Sequence, residues 1–419
     1  MDPPGAFGAL GSRALLPLYL AHGFLHVSIG IYPAVLFALR REWHASYATL
    51  GAVFTAATLL YGLGSLPTGF ILNRVHPLTV TRLYLLTAAV ACAVIALAPH
   101  PWVAAAGLLL LGLAVSPYHT AAMTLISRGS GNDPRLLAHH GMFGSLGLAI
   151  APAFGSLLAS ASSWRLPFAC AAGLALALAT YSLTMPAFST PAAQAPAQRS
   201  SVSHGATHVP ALALVFSITV ALGFVFRGFG TFLPTLIIQR TDVFSGQALV
   251  RGGLIASLVY LVGFFGQWWA SRLGRHEEIE AVYAVLLVAS AALLAAVFWA
   301  ADWSLILVLL AFSVVHFAMQ PIDNVLTGKY TSLGRRGIGY GVSFGLSFGF
   351  GSFAAWAGGA VADAAGGRLQ YVYLMLAGAT LVGAVCGAAL TLLARHLRRL
   401  PVAATEPVSL QAAPPGPFI

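Results

Sequence analysis

Six ionisable side chains fall inside long apolar runs of this 419-residue sequence: His22, His26, His119, Arg227, His316 and Asp323. An unpartnered charge at the centre of a bilayer costs about 3 kcal/mol or more, so groups placed there are paired, hydrated in a cavity or used. Arg227 is a fixed cation whose planar fork suits a carboxylate, phosphate or phosphonate. Asp323 is the one carboxylate that falls within an apolar run rather than at a helix end, in a loop or in a tail. It is the first candidate for a group that takes up and releases a proton, and the imidazoles come second because they titrate near neutral pH. A pair between Asp323 and Arg227, neutralising both, is the structural alternative.

His22 and His26 stand four residues apart and share one helix face with Gly30 and Pro33. Two such imidazoles can ligate a metal ion with His119 as a third, hydrogen-bond within a cavity, or hold an anion when protonated. No cysteine, methionine or carboxylate stands near them on the same helix, so they are assigned to solute binding and neither a metal nor a cofactor is expected. No nucleophile–base pair or phosphate loop is present, and no enzymatic activity is expected.

Such groups need walls to hold them. With 58% hydrophobic and 8% charged residues and a mean hydropathy of +0.85, the chain lacks the polar surface of a soluble domain. Apolar runs without period-two alternation recur throughout, which excludes an outer-membrane barrel and predicts spanning helices of about 20 residues. The formal charge of +10 comes from scattered loop residues rather than a cluster, so membrane topology explains it better than nucleic acid. The expected helices cover residues 14–39, 47–72, 80–98, 102–127, 137–161 and 166–185, then 209–239, 252–272, 279–301, 303–328, 337–362 and 369–393.

This predicts an all-α membrane protein with a first six-helix half over 14–188 and a second over 209–394. A low-complexity linker at 189–208 joins them, residues 1–13 precede the first half, and a disordered tail fills 395–419. With the N-terminus inside, 14 Lys and Arg lie on the inner side, six outside, and Arg227 in the membrane. The positive-inside rule then makes both termini and the linker cytoplasmic in a multi-pass cell-membrane protein. Arg13 flanks a first apolar run too long for the core of a cleavable leader, so none is expected. Trp43, Trp102, Trp164, Trp303 and Tyr47 fall at outer helix ends, where an aromatic belt belongs, and His139 and His140 at an inner interface. Cys92, Cys170 and Cys386 have no ligand-like spacing and read as core residues.

The two halves repeat one design. Laying Pro117 on Pro321 puts His119 on Asp323, and laying Pro33 on Pro234 puts His26 on Arg227. The loop Asn73-Arg74 after helix two matches Ser271-Arg272 after helix eight. Parallel repeats imply a pseudo-twofold axis along the membrane normal and a cavity between the halves. All six buried groups fall on helices one, four, seven and ten, which are equivalent positions in the two halves. Small residues recur on helix five at Gly147, Ala151 and Gly155 beside Pro152, and on helix eleven at Gly341, Gly345 and Gly349, faces that let backbones approach and form a closing seam.

The whole chain resembles a transporter of the major facilitator superfamily, and its helix-four and helix-five region resembles the fosmidomycin-resistance type of efflux permease. Gly69-Phe70-Ile71-Leu72-Asn73-Arg74 is similar to the superfamily loop G-x-L-A-D-R, echoed at residues 271–275. Tyr118-His119-Thr120 is similar to the F-H-P of the fosmidomycin group. Gly147-x-x-x-Ala151-Pro152-x-x-Gly155-Ser156 is similar to the antiporter motif G-x-x-x-G-P-x-x-G-G. Asn73 and Ser271 stand where the superfamily carries an acid, and Thr120 stands where the group carries proline. The resemblance implies twelve spans, alternating access, a monomer and proton-driven export of a small anionic or amphipathic compound, with gating at Asn73, Arg74, Ser271, Arg272 and the two small-residue faces. Import of an organic anion or of a metal ion, and a receptor or scaffold without transport, are the other readings.

Overall fold

The structure is a computed structural model and describes residues 15–130, 134–185, 207–243, 246–273, 276–332 and 335–399. The expected linker and tail fall mostly outside these. Twelve helices are long and apolar enough to span a membrane, and no strand occurs among the described residues. In the first half they are α1 (Leu16–Trp43), α2 (Tyr47–Gly64), α3 (Pro77–Ala96), α4 (Pro101–Ile126), α5 (Arg135–Ala161) and α6 (Leu166–Thr184). The second half holds α7 (Val209–Arg240), α8 (Ala248–Ala270), α9 (Ile279–Ala296), α10 (Asp302–Tyr330), α11 (Ile338–Ala364) and α12 (Gln370–Arg399).

Local chemistry explains where these ends differ from the apolar windows. Helix α3 starts before residue 80 because the His76 ring accepts the Leu78 amide at 3.2 Å and Pro77, with no N–H to leave unpaired, opens the first turn. Helix α2 stops at Gly64 rather than 72: Pro67 cannot donate to the carbonyl a turn earlier, and only the short helix Thr68–Ile71 follows. Helix α4 is interrupted at Ser116 and Pro117, and α11 at Ser352.

The halves pack alike. Helix α1 lies on α5 as α7 lies on α11, α2 on α4 as α8 on α10, and α3 on α6 as α9 on α12. Between halves α2 meets α11, α5 meets α8 and α1 meets α7. The seam expected between α5 and α11 is thus distributed over three pairs. Gly147 lies against the backbone of Gly23, Ala151 against Gly30 and Gly155 against Ala34, so the small-residue face of α5 packs on α1 within its own half. The neighbouring face reaches the other half: Gly253 of α8 sits on Pro152 and Ser156, and the Ala153 amide donates to the Ser257 hydroxyl at 2.9 Å. Proline at 152 disturbs the helical bonding around it, which leaves that amide free for an outside acceptor.

Three polar placements differ from the sequence expectation. Trp164 is not a belt residue: it is 3% exposed, packs edge-on to Trp43 and donates to Glu42 at 2.7 Å. Tyr47, 1% exposed, is locked between the halves, and His140 is buried rather than interfacial. Glu280 is likewise buried, near the start of α9, where Lys329 of α10, Arg398 of α12 and the Tyr330 hydroxyl surround its carboxylate and tie three helices together. Its partly exposed neighbour Glu278 has its carboxyl held below the usual range, first by the hydrogen bond from Arg395 and then by that residue's charge.

Candidate transport cavity

Call the end where the 186–206 segment joins α6 to α7 the linker end, and the opposite one the far end. The far end is shut by links from one half to the other. Asp363, at the end of α11, accepts the backbone amides of Tyr47 and Ala48 at 3.0 and 2.8 Å, the unpaired donors of the first turn of α2. Arg40 lies 4.5 Å over the Tyr47 ring, and Gln239 of α7 donates to the Tyr47 hydroxyl at 3.1 Å. Deeper, Thr55 donates to the Ser352 carbonyl at 2.8 Å and accepts from the Trp356 amide at 3.1 Å. Glycine lets the two backbones touch here: a Cβ at Gly51 would run into the Ala355 carbonyl, and one at Gly359 into that of Tyr47.

Beneath this closure lies a cavity of about 320 Å³ between the halves, large enough for a small solute. It extends toward the linker end, where its lining includes Gly141 and Asn324. Five of the six groups singled out from sequence line it: His22, His26, Arg227, His316 and Asp323. The sixth, His119, stands immediately behind the wall and donates to or accepts from the Tyr61 hydroxyl at 2.7 Å.

Arg227 and Asp323 are not paired. The Asp323 carboxylate accepts from the Tyr283 hydroxyl at 2.8 Å and lies 2.9 Å from the Thr219 hydroxyl, so uncharged donors from α7 and α9 hold it. The Arg227 guanidinium lies 5.4 Å over the Phe348 ring, and no carboxylate stands within ion-pair distance of it among the described residues. It is 9% exposed, and what exposure it has is to the cavity. A cation so placed is an anion receptor in waiting.

The histidines divide into two groups. In the first half, His22 and His26 ring centroids lie 5.1 Å apart, and His119 stands 4.9 Å from His22 and 5.9 Å from His26. His140 stacks on His22 at 4.0 Å, and the His22 Nδ1 donates to the His140 carbonyl at 2.7 Å. In the second half His316 is the one histidine that lines the cavity among the described residues; it is 1% exposed, between Phe226 and Phe312, with neither ring nitrogen bonded to protein.

The loop residues expected to gate the linker end lie at its surface where they are described. Asn73 and Arg74 are exposed, and Arg272 lies over the Trp268 ring of its own helix; the Ser271 side chain is outside the described residues. Gly345 and Gly349 face open space. Sequence reasoning missed the neutral part of the lining. Tyr61, Tyr260, Gln267, Gln320 and Phe348 all face the cavity, and nothing in an apolar run marks a tyrosine or phenylalanine as lining rather than core.

Two six-helix halves around an axial cavity, shut at one end and holding unpaired charge, define a secondary transporter and not an enzyme. The chain belongs to the Major Facilitator Superfamily, whose sequence profile matches residues 18–355. Many solved structures share the fold, two transporters among them. The nucleoside transporter NupG superposes with a TM-score of 0.72 at 18% identity, covering 90% of this chain and 99% of its own. A bacterial homologue of the human lysosomal transporter Spinster, inward-facing and unoccupied, gives 0.75 at 15% identity, covering 93% and 98%. No curated protein matches the sequence.

Proposed function

We propose that the chain is a proton-coupled exporter of a small anionic or amphipathic compound, working as a monomer in the cell membrane with both termini cytoplasmic. The observation that carries this reading is the unpaired Arg227 in the cavity, separated from a carboxylate held by neutral donors. A buried cation without a counter-ion favours an anionic group on the solute. With His22, His26, His119 and His316 it forms the solute site. The Lys and Arg distribution makes the linker end cytoplasmic, so the conformation described is open to the cytoplasm. Export is supported by the antiporter-like motif from Gly147 to Ser156 and by the likeness of Tyr118-His119-Thr120 to the fosmidomycin group.

In this cycle the solute enters from the cytoplasm and binds Arg227. The halves then rock, the linker end closes and the far end opens. Gly147, Ala151 and Gly155 keep α5 tight on α1 as one body, with Pro152 at the contact to α8, while the space around Gly345 and Gly349 leaves α11 room to swing. Asn73, Arg74, Ser271 and Arg272 meet when the linker end shuts. Asp323 takes a proton in one state and releases it in the other. Protonation removes a charge that Tyr283 and Thr219 stabilise, so it changes the contact joining α7, α9 and α10.

Asp323→Asn keeps the shape and removes the charge. In vesicles it is expected to abolish accumulation driven by a pH gradient while leaving solute exchange at equal concentrations within a fewfold of wild type. Gradient-driven flux that survives the substitution removes the coupling role.

A further inference from the structure

We infer that His22, His26 and His119 form a binding site for a divalent transition-metal ion, opening on the transport cavity. One nitrogen from each ring lies within 4.8 Å of the others. Three imidazoles on a tetrahedral zinc, with Zn–N near 2.1 Å, need nitrogens about 3.4 Å apart. The cluster therefore closes on an ion by side-chain rotations of about an ångström, with no movement of the helices. His22 and His26 come from successive turns of α1, and His119 comes from α4 across the bundle, so the site is built by the packing of the first half alone.

The hydrogen bonds around the cluster choose the nitrogens. A carbonyl oxygen has no proton to give, so the His22 Nδ1, 2.7 Å from the His140 carbonyl, carries the hydrogen. Its Nε2 then presents a lone pair, and that atom is buried with no hydrogen-bond partner on a residue 6% exposed. A buried ring nitrogen left unsatisfied by protein, on a ring packed among other imidazoles, is available to ligate a metal ion. His119 has the same arrangement when Nε2–H donates to the Tyr61 hydroxyl at 2.7 Å, which frees Nδ1 for metal. Carbonyls and hydroxyls that fix the far nitrogen of a ligating histidine are the usual outer partners of a metal site. Gly144 completes the construction, since a Cβ there would overlap the His22 ring.

The donor set selects the ion. Imidazole alone, without carboxylate or thiolate, suits Zn²⁺, Ni²⁺, Co²⁺ or Cu²⁺ and not Mg²⁺ or Ca²⁺. Three protein ligands leave a position open, as in zinc sites that take an exogenous ligand. His22 and His26 line the cavity that also holds Arg227, so an anionic donor on the solute can complete the coordination. That last step rests on the anion reading above; the metal site itself does not.

The test is Zn²⁺ binding to the full-length protein purified in detergent and stripped with chelator, with no solute and no gradient present. Equilibrium dialysis is expected to give one Zn²⁺ per chain. His22→Ala, His26→Ala and His119→Ala are each expected to reduce affinity at least tenfold, and Tyr61→Phe about tenfold through the outer partner alone. X-ray absorption at the zinc edge of the wild type needs no variant to fold and is expected to show three imidazole nitrogens near 2.0–2.1 Å. A wild type that binds Zn²⁺ no better than the triple alanine variant, or a zinc spectrum with one imidazole or none, overturns the site. Either failure leaves the transport reading standing, and failed transport leaves the metal site standing.

Discussion

Arg227→Gln is expected to weaken binding of a small anion by about 30- to 1,000-fold, corresponding to roughly 2–4 kcal/mol for loss of the partner of a buried charge. The probe is the strongest binder from a panel of small carboxylates, phosphates and phosphonates, ranked by thermal shift in detergent. The expected size follows from the surroundings of the guanidinium. It lies over Phe348 in a largely apolar cavity and no carboxylate among the described residues neutralises it, so a bound anion meets little screening. Arg227→Lys retains the charge and loses the fork, and falls between the two. Glutamine also relieves the chain of a buried cation, so the variant should be no less stable than wild type, which separates lost binding from lost fold. Equal affinities for wild type and Arg227→Gln across the panel would sink the anion reading.

The second large effect is steric. Gly359→Leu is expected to reduce transport to background by forcing α2 and α11 apart at the far end. Gly359 lies against the backbone of Tyr47 and Ala48, and a backbone cannot rotate out of the way as a side chain can. The Asp363 bonds to the same two residues would be lost together with the contact. A cysteine placed in the cavity, as in Ser145→Cys, then reports the result. On the Gly359→Leu background it should react with an impermeant maleimide from the far side, and on the wild-type background it should be protected. Unchanged protection together with normal flux would show that the α2–α11 contact does not control access. Gly349→Leu is the contrasting case, because that position faces open space in this conformation.

The architecture was legible because a bilayer simplifies the physics. Long apolar runs have few folded fates, and twelve of them in a six-plus-six repeat leave little choice of topology. The charges were legible for the same reason: Arg227 and Asp323 stand out in an apolar run and nearly have to face a cavity. Their relation to each other was not. Nothing along α7 or α10 shows that Thr219 and Tyr283 hold Asp323 and leave Arg227 alone, because those partners are separated from it by 104 and 40 residues. Aromatic placement failed where a helix end packs on protein instead of lipid, Tyr47 against the other half and Trp164 against Trp43 and Glu42 of its own. Tyr47 and Trp164 have the composition and position of belt residues, and only packing shows them buried. The seam was misjudged for a related reason. Glycines at helical spacing mark a close approach, but the spacing does not say whether the neighbour is α1 or α11.

Asp363 belongs to one half and caps a helix of the other, and this makes the Tyr47 and Ala48 amides a built-in clock for the transport cycle. While the far end is shut, both N–H groups are held by the carboxylate and exchange slowly with deuterium. Each time the halves part there, both are released to water at the exposed first turn of α2. Their deuteration rate thus measures how often an unlabelled molecule visits the opposite state, in the same units for every substitution or solute that shifts the balance.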